Sequence, residues 1–140
     1  MQLTAADYFE IYDLYAAYAI ALDTGDGAAR VATFTPDGTM SSYLSDHVPY
    51  HMDRMLEATN RYERKERPTG GHLQASIHIV PTAEGASATC YALIGGGTKN
   101  ADGDDVWLPA FYTDTLVKTA DGWRFKTRDV FVGAPGDATY

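Results

Sequence analysis

The hydrophobic pattern of this sequence changes its period once, near residue 70, and that change limits the folds open to the chain. Before it, apolar residues recur every three or four positions, as on the buried side of a helix; after it, they alternate with polar residues, as in half-buried strands. Helices followed by consecutive strands predict an α+β domain with an antiparallel or mixed sheet. The length of 140 residues suits one such domain, so we expect residues 1–140 to form it, with a flexible tail over residues 133–140.

Three helices are predicted before the change of period. The first covers residues 4–22 and begins with Thr4 and Asp7, a pattern that resembles a capping box. Its apolar residues form one stripe that faces the core and a second through Phe9 and Tyr12, so we expect neighbours on most of its sides. The other helices are expected over residues 27–34, after the N-cap residue Asp26, and over residues 51–65.

Four strands are predicted after the change, each rich in β-branched and aromatic residues. They cover residues 72–81, 87–94, 106–119 and 122–132, and a weaker strand or irregular edge is expected over residues 39–44. Residues 35–38 and 119–122 have the composition of turns, and residues 95–105 that of a loop. Strands this long must bend to stay compact, so a sheet curved around the first helix would enclose a cavity.

The charge balance and the cysteine content exclude several classes of function. The chain has 11 Lys and Arg against 19 Asp and Glu, a formal charge of −8, whereas nucleic acid or an anionic membrane would need a positive patch. Cys90 is the one cysteine, so neither an internal disulfide nor a thiolate zinc cluster can form. With no signal-peptide pattern and no apolar run of about 20 residues, we expect a cytoplasmic protein with no membrane or nucleic-acid partner.

Tyrosine is unusually frequent in this sequence. There are 10 tyrosines against five phenylalanines and two tryptophans, and four of the tyrosines fall between Tyr8 and Tyr18. Phenol side chains can stack on an aromatic ligand and orient its oxygen atoms. As a group they favour an apolar, aromatic or polycyclic ligand over a charged metabolite, although ordinary core packing explains each one alone equally well.

The four histidines differ in their surroundings. His72 begins a predicted strand, and strand alternation places His72, Gln74, Ser76 and His78 on one face, which is either a solvated surface or the wall of a site. His47 and His51 flank a Val-Pro-Tyr segment and are expected at the surface or in a lid. These spacings do not form the zinc motif HExxH, so no metal is predicted.

Two acids and one arginine are further candidates. Asp23 ends the first helix, where a carboxylate opposes the helix dipole, so either local hydrogen bonds or a functional role explains it. Asp114 alternates with Tyr112 and Leu116 and is either a solvated strand residue or a buried acid with a raised pKa. Arg128 follows a Trp-Arg-Phe strand and is interpreted as an ion-pair partner at the edge of the core.

Four segments together resemble a known family. They are YAIALDTGD at residues 18–26, FTPDG at 34–38, Gly71-His72 with Ser76, and YTDTLVKTADGWRF at 112–125. The chain resembles the SnoaL-like group of the nuclear transport factor 2-like superfamily over about nine-tenths of its length. The resemblance implies a cone-shaped, curved, antiparallel or mixed sheet around a long N-terminal helix and two shorter helices, with a pocket between the sheet and the helices.

The resemblance also implies site residues. Asp23 and His72 match the Asp–His dyad of the scytalone dehydratase and hexachlorocyclohexane dehydrochlorinase branches, in which the histidine takes a proton and the carboxylate orients it. Tyr43 falls close to a dehydratase tyrosine that orients a water molecule. The chain departs from both branches, because Tyr18 stands in place of a dehydrochlorinase lysine and Leu22 in place of a dehydratase tyrosine.

From these observations we expect a cofactor-independent lyase that acts by dehydration or by releasing a small fragment from a small apolar, aromatic or phenolic molecule. His72 would be the general acid/base and Asp23 its partner. The residues expected to contact the substrate are Tyr15, Tyr18, Tyr43, Tyr112, Asp114 and Arg128.

Two other classes of function stay open. An isomerase or polyketide-cyclase-type enzyme would use Asp114 as its acid, and a non-catalytic binding or assembly subunit would use the fold alone. A homodimer or homotrimer is expected in every case, since the outer sheet face carries Phe111, Val117 and Phe131.

Overall fold

The computed structural model describes residues 2–61 and 71–133, and within them it has three α-helices, one short 3-10 helix and five strands. In chain order these are α1 (Ala5–Thr24), α2 (Gly27–Ala32), β1 (Phe34–Ser42), the 3-10 helix (Tyr43–Ser45), α3 (Met52–Asn60), β2 (Gly71–Pro81), β3 (Ala86–Lys99), β4 (Asp105–Thr119) and β5 (Gly122–Val132). The predicted α+β class is confirmed. The expected tail beyond residue 133 and the end of the third predicted helix, from residue 62, lie outside the described residues.

The five strands form one mixed sheet in the order β1-β5-β4-β3-β2. β1 runs parallel to β5, and every other neighbouring pair is antiparallel. The predicted turn between β4 and β5 is confirmed, because Thr119 pairs with Gly122, which has a positive φ of 102°. α1 lies across the inner face of the sheet, and the rings of Tyr15 and Tyr18 contact Phe125 edge-on at centroid distances of 5.1 and 5.8 Å.

A network around Asp7 fastens the beginning of α1 to the β4–β5 hairpin. The Thr4 hydroxyl accepts a hydrogen bond from the Asp7 backbone, and the Asp7 carboxylate accepts one from the Thr4 backbone at 2.8 Å, so the predicted capping box is confirmed. The same carboxylate also accepts hydrogen bonds from Lys118 Nζ at 2.6 Å and Trp123 Nε1 at 2.9 Å. These bonds, above all the one from Lys118, lower the pKa of Asp7.

We expect Asp7→Asn to destabilise the protein more at neutral than at acidic pH. Because the folded-state pKa of Asp7 lies below the value of about 3.9 in an unfolded chain, its ionised form stabilises the fold above that pH. The contribution is lost as the pH falls through the folded-state value. Urea unfolding at about pH 6 and about pH 2.5 is expected to show a smaller difference between variant and wild type at the lower pH. An equal difference at both would contradict this role of the carboxylate.

The prediction that α1 is covered on most sides is wrong for the chain by itself. Ile11, Tyr15 and Tyr18 are buried on the side that faces the sheet. On the opposite side Phe9 is 75% exposed and Tyr12 is 47% exposed, although the Tyr12 hydroxyl donates a hydrogen bond to the Ile77 carbonyl oxygen of β2 at 3.3 Å. The second apolar stripe is therefore covered only in part, because Ala19 is buried and Tyr12 contacts β2, whereas Phe9 stays exposed.

The turn predicted over residues 35–38 is part of β1 instead. The pairing of β1 with β5 is irregular between Phe34 and Thr39, so Pro36 and its neighbours form a bulge. A Cβ atom at Gly38 would lie 2.9 Å from the Thr35 carbonyl oxygen, which explains why glycine suits this close approach. Proline and glycine are tolerated here because β1 is an edge strand and its ladder is already interrupted.

The loop predicted over residues 95–105 is shorter than expected. β3 continues to Lys99, and its pairing with β4 is irregular between Ile94 and Thr98. The remaining connection is held by Asn100, whose Oδ1 accepts hydrogen bonds from the backbones of Asp102 and Asp104 at 3.0 and 2.9 Å. The glycines therefore belong to an irregular strand rather than to a long loop.

The outer face of the sheet is apolar but differs in detail from the prediction. Phe111 is fully buried and stacks on Phe131 at 4.8 Å, and Phe131 stacks on His47 at 4.5 Å, so the segment after β1 covers part of this face. The large exposed apolar residues of β2, β3 and β4 include Leu73, Tyr91, Leu93 and Trp107. Self-association as a homodimer or homotrimer stays a prediction. None of the helices in the described part of the chain is long and apolar enough to cross a bilayer.

Candidate functional site

Asp23 and His72, 49 residues apart in sequence, are joined by two hydrogen bonds. His72 Nδ1 lies 2.5 Å from Asp23 Oδ1, and the His72 backbone N–H donates to Asp23 Oδ2 at 2.9 Å. The His72 side chain is 10% exposed and that of Asp23 is 30% exposed. The structure therefore brings together the acid and the histidine that the resemblance paired, with both oxygens of the carboxylate holding one residue in place.

Local backbone features place this pair where α1 meets β2. Asp23 lies in the last turn of α1, which ends at Gly25 in the left-handed region with a φ of 73°. Gly71 begins β2, and a Cβ atom there would lie 3.4 Å from Asp23 Oδ2, an ordinary contact distance, so the Asp23 carboxylate lies directly beside the first residue of β2. A carboxylate near the carboxyl end of a helix is unfavourable by itself, and its bonds to His72 offset that cost.

The hydrogen bonds determine which nitrogen of His72 can act as a base. Burial raises the pKa of Asp23, but the hydrogen bonds and the proximity of His72 outweigh it, and the pKa is lowered overall. Asp23 is thus ionised at neutral pH and can only accept hydrogen bonds, so Nδ1 of neutral His72 must carry the proton. Nε2 then holds a lone pair, and no hydrogen-bond partner for it lies among residues 2–61 and 71–133.

His72 borders a cavity of about 250 Å³ between the helices and the inner face of the sheet, referred to below as the His72 cavity. Its wall consists of Tyr18, Leu22, Arg30, Met40, Ser42, Tyr43, Leu44, Tyr50, Ala58, His72, Ile94, Tyr112 and Val130. Three of the residues expected to contact substrate, Tyr18, Tyr43 and Tyr112, are among them. A mostly apolar cavity with a few convergent polar groups is the usual form of a small-molecule site.

Asp114, Arg128 and Tyr15 lie in a buried layer that does not border the His72 cavity. Arg128 donates to both oxygens of Asp114, at 2.7 and 2.9 Å, and Tyr15 donates to the same carboxylate. Burial alone would lower the pKa of Arg128, but the charge and hydrogen bonds of Asp114 raise it well above its ordinary value. The rings of Tyr15, Tyr18, Tyr112 and Phe125 surround the guanidinium at 3.9 to 4.8 Å.

The other histidines lie away from the His72 cavity. Ser76 has a positive φ of 54°, and the pairing of β2 with β3 is irregular between Ala75 and His78. This irregularity shifts the alternation, so the prediction that His72 and His78 share a face is wrong, and His78 is exposed. His47 is also exposed and is bonded to Asp129 at 2.8 Å, and His51 precedes α3 as an exposed N-cap residue with no side-chain cap hydrogen bond.

Two other depressions are larger than the His72 cavity. One of about 570 Å³ lies between α1, α2 and the β4–β5 hairpin and is open to solvent along charged residues that include Glu10, Asp13 and Arg124. Another of about 310 Å³ lies on the other side of His72, between α1 and β2, and includes Tyr15 and Gln74. The His72 cavity is the most enclosed of the three, and Tyr18, Tyr43 and Tyr112 lie on its wall, so we take it as the candidate site. In the described part of the chain, no cluster of three His, Cys, Asp or Glu side chains could hold a metal ion.

Arg30, Met40 and Tyr50 border the His72 cavity and were not predicted from the sequence. Arg30 lies in a two-turn helix of otherwise apolar residues, a pattern that gives no sign of burial. Burial raises the pKa of the Tyr50 hydroxyl, and Arg54 lies over its ring at 4.8 Å. Arg30 on α2 and Met40 on β1 reach the site through tertiary packing, and Tyr50 reaches it through its β-bridge to Met40, and no local pattern encodes these contacts.

Comparison with known proteins agrees with this architecture. The sequence profile of the SnoaL-like domain matches residues 3–129. The chain belongs to the SnoaL-like family. No curated protein matches it in sequence.

Solved structures share the fold at low sequence identity. A nuclear transport factor 2-like protein with a cystatin-like fold from Novosphingobium aromaticivorans is 17% identical with a TM-score of 0.77, and the match covers 94% of this chain and 84% of that one. ActVI-ORFA from Streptomyces coelicolor is 24% identical with a TM-score of 0.72 over 89% and 96% of the two chains. A protein from Catenulispora acidiphila is 26% identical with a TM-score of 0.73 over 91% and 92%. The cone-shaped architecture of this SnoaL-like protein is thereby confirmed, and its chemistry has to be argued from its own site.

Proposed function

We propose that this SnoaL-like protein is a cofactor-independent lyase that uses Asp23 and His72 to remove a proton from a small aromatic or phenolic substrate. The observation that carries the proposal is the bond between Asp23 Oδ1 and His72 Nδ1, together with the position of His72 on the wall of an apolar cavity. A structural ion pair would satisfy Asp23 equally well, but it would not require the histidine to face a cavity. A general base needs that access to substrate.

The proposed reaction is an elimination. His72 Nε2 takes a proton from the carbon next to a carbonyl group, and the C–H electron pair forms the new double bond as the bond to the leaving group breaks. The imidazolium is stabilised by the ionised Asp23 carboxylate. It then returns its proton to the departing oxygen, so that water or a small fragment leaves and neutral His72 is restored. Tyr18, Tyr43 and Tyr112 border the cavity and would orient the substrate oxygen atoms.

The size of the His72 cavity limits the substrate. An engineered protein cavity of about 150 Å³ accommodates benzene, and the His72 cavity measures about 250 Å³. It therefore fits one aromatic ring with a short substituent. Aromatic wall residues favour such a ring through offset or edge-on contacts.

We expect Asp23→Asn to lose activity while the cavity stays intact. The amide cannot provide the negative charge that stabilises the imidazolium, and it can hold the ring in the wrong tautomer. In comparable His–carboxylate sites such a change costs up to about 10⁴-fold in turnover. Turnover and ligand binding are measured together, and a variant with normal binding and normal turnover would contradict the role of the carboxylate.

The proposal can be tested before the natural substrate is known. Small aromatic ketones and β-hydroxy carbonyl compounds are incubated with the protein in deuterated water, and NMR spectroscopy records deuterium incorporation and eliminated products. His47→Ala is the matched control, because His47 also bonds to a carboxylate but lies outside the cavity. Exchange that is lost in His72→Ala and kept in His47→Ala supports the dyad. Exchange that needs neither histidine would contradict it.

A further inference from the structure

Arg30 is a buried cation without a counter-ion in the described part of the chain. Four charged side chains are buried there, namely Asp7, Arg30, Asp114 and Arg128. Asp7 is paired with Lys118, and Asp114 with Arg128. No carboxylate among the described residues lies within 4.0 Å of the Arg30 guanidinium, although the residue is only 5% exposed.

Neutral groups hold the guanidinium in place instead. Arg30 Nη1 donates to Thr59 Oγ1 at 2.8 Å, and Nη2 donates to the Tyr18 hydroxyl at 2.7 Å and lies 3.1 Å from Met40 Sδ. Nε has no hydrogen-bond partner within residues 2–61 and 71–133. Burying an unpaired charge costs several kcal/mol even after relaxation, so a protein that keeps this arrangement gains little stability from it.

Tyr18 links this charge to the His72 cavity. Its hydroxyl oxygen accepts the hydrogen bond from Arg30, so the hydroxyl proton must point elsewhere. The acceptor that the structure provides for that proton is Met40 Sδ at 3.4 Å, a weak one. Tyr18 and Arg30 both border the His72 cavity. The Tyr18 hydroxyl is thus polarised by the Arg30 cation. Its proton would make a stronger hydrogen bond to a ligand oxygen than to the Met40 thioether.

We infer that Tyr18 and Arg30 form an anion-binding pair, and that the substrate of the His72 cavity is a small aromatic carboxylic acid bound through its carboxylate. This inference rests on the proposed function only in placing substrate in that cavity. A single guanidinium with one hydroxyl matches a monoanion such as a carboxylate, whereas a phosphate ester carries nearly two charges and three strong acceptor oxygens. The expected small apolar, aromatic or phenolic ligand is thereby narrowed to one aromatic ring that carries one acidic group.

The test is calorimetric titration with benzoate and with benzamide, which has a similar shape but no charge. A charge-assisted hydrogen bond contributes about 1.5 to 3 kcal/mol, so we expect wild type to bind benzoate roughly 10- to 100-fold more tightly than benzamide. Arg30→Met is expected to lose that preference and to keep its affinity for benzamide. Arg54→Met is the matched control, because Arg54 is exposed and lies outside the cavity, and its preference should equal that of wild type.

Stability provides an independent readout. Replacing a buried ion pair with apolar side chains of similar volume is often neutral or stabilising, and Arg30 has no carboxylate partner among the described residues whose charge its removal would leave unpaired. We therefore expect the melting temperature of Arg30→Met without ligand to equal or exceed that of wild type, and benzoate to raise the melting temperature of wild type more than that of Arg30→Met. A residue that merely holds the fold together would show the opposite: a lowered melting temperature and an unchanged benzoate preference.

Several results would overturn the inference: equal affinity of wild type for benzoate and benzamide, no detectable benzoate binding, or an Arg30→Met variant that keeps the preference. If Arg30→Met fails to fold, the test relies on Tyr18→Phe and on the ratio of benzoate to benzamide affinity in wild type. The inference then requires Tyr18→Phe to show a smaller ratio than wild type. His72→Ala separates this inference from the proposed function. It should keep the benzoate preference while losing proton exchange, so each idea can fail without the other.

Discussion

His72→Ala is expected to lower the rate of proton abstraction by about 10²- to 10⁴-fold, the usual contribution of a positioned general base. The alanine removes the only ring nitrogen in the described residues that joins Asp23 to the cavity. Substrate affinity should change much less, because the tyrosines and Arg30 that border the cavity remain. The effect should therefore appear in kcat rather than in KM.

Folding controls accompany this measurement. Circular dichroism and thermal unfolding establish that His72→Ala keeps the wild-type fold, and His47→Ala reports the cost of losing an exposed histidine–carboxylate pair. Unchanged kcat in a folded His72→Ala variant would exclude this histidine as the base.

Asp114→Asn is expected to destabilise the protein by about 3 to 5 kcal/mol, because it leaves a fully buried guanidinium without its counter-charge. The side chains of Asp114 and Arg128 are both 0% exposed, so solvent cannot screen the loss. Such a change is a large part of the roughly 5 to 15 kcal/mol that stabilises an ordinary domain. Urea unfolding at low temperature measures the difference while the variant is still folded.

Two matched changes make this result specific. Asp105→Asn breaks the exposed pair of Lys99 and Asp105, whose side chains are 58% and 52% exposed, and should cost at most about 1 kcal/mol. Replacing Asp114 with leucine and Arg128 with methionine together should recover most of the stability lost in Asp114→Asn, since no unpaired charge remains. A cost below about 1 kcal/mol for Asp114→Asn would show that the buried pair contributes little.

The same variant distinguishes the lyase from the isomerase or cyclase alternative. Both oxygens of Asp114 are occupied by Arg128 and Tyr15, and Asp114 does not border the His72 cavity. We therefore expect folded Asp114→Asn to keep most of its turnover. A large loss of turnover in the folded variant, with little effect from His72→Ala, would favour the alternative.

The sequence was most informative where a regular hydrophobic pattern continued without interruption over many residues. α1, its capping box and the β4–β5 hairpin follow from local chemistry, and the resemblance paired Asp23 with His72 across 49 residues. The bulges could not be predicted. Ser76 takes a positive φ that non-glycine residues rarely adopt, and no local signal announces the resulting shift of His78 to the other side of its strand.

Buried charge was the second limit. Arg30 and Arg128 lie in unremarkable local sequence, yet Arg30 borders the cavity with no counter-ion among the described residues, and Arg128 is surrounded by aromatic side chains. Their environments depend on which elements pack together, and periodicity does not report that. Arg30 therefore did not enter the sequence-based expectation of the ligand, because the sequence pattern does not show that it borders the cavity.

The central claim is that His72, oriented by Asp23, moves a proton in the His72 cavity. Chemical rescue tests it most directly: deuterium exchange is followed in His72→Ala with and without added imidazole, on a compound that the wild-type protein turns over. The account predicts that imidazole restores part of the lost exchange in His72→Ala and none in Asp23→Asn, where the ring is still present. Wild-type exchange in His72→Ala without imidazole would contradict it.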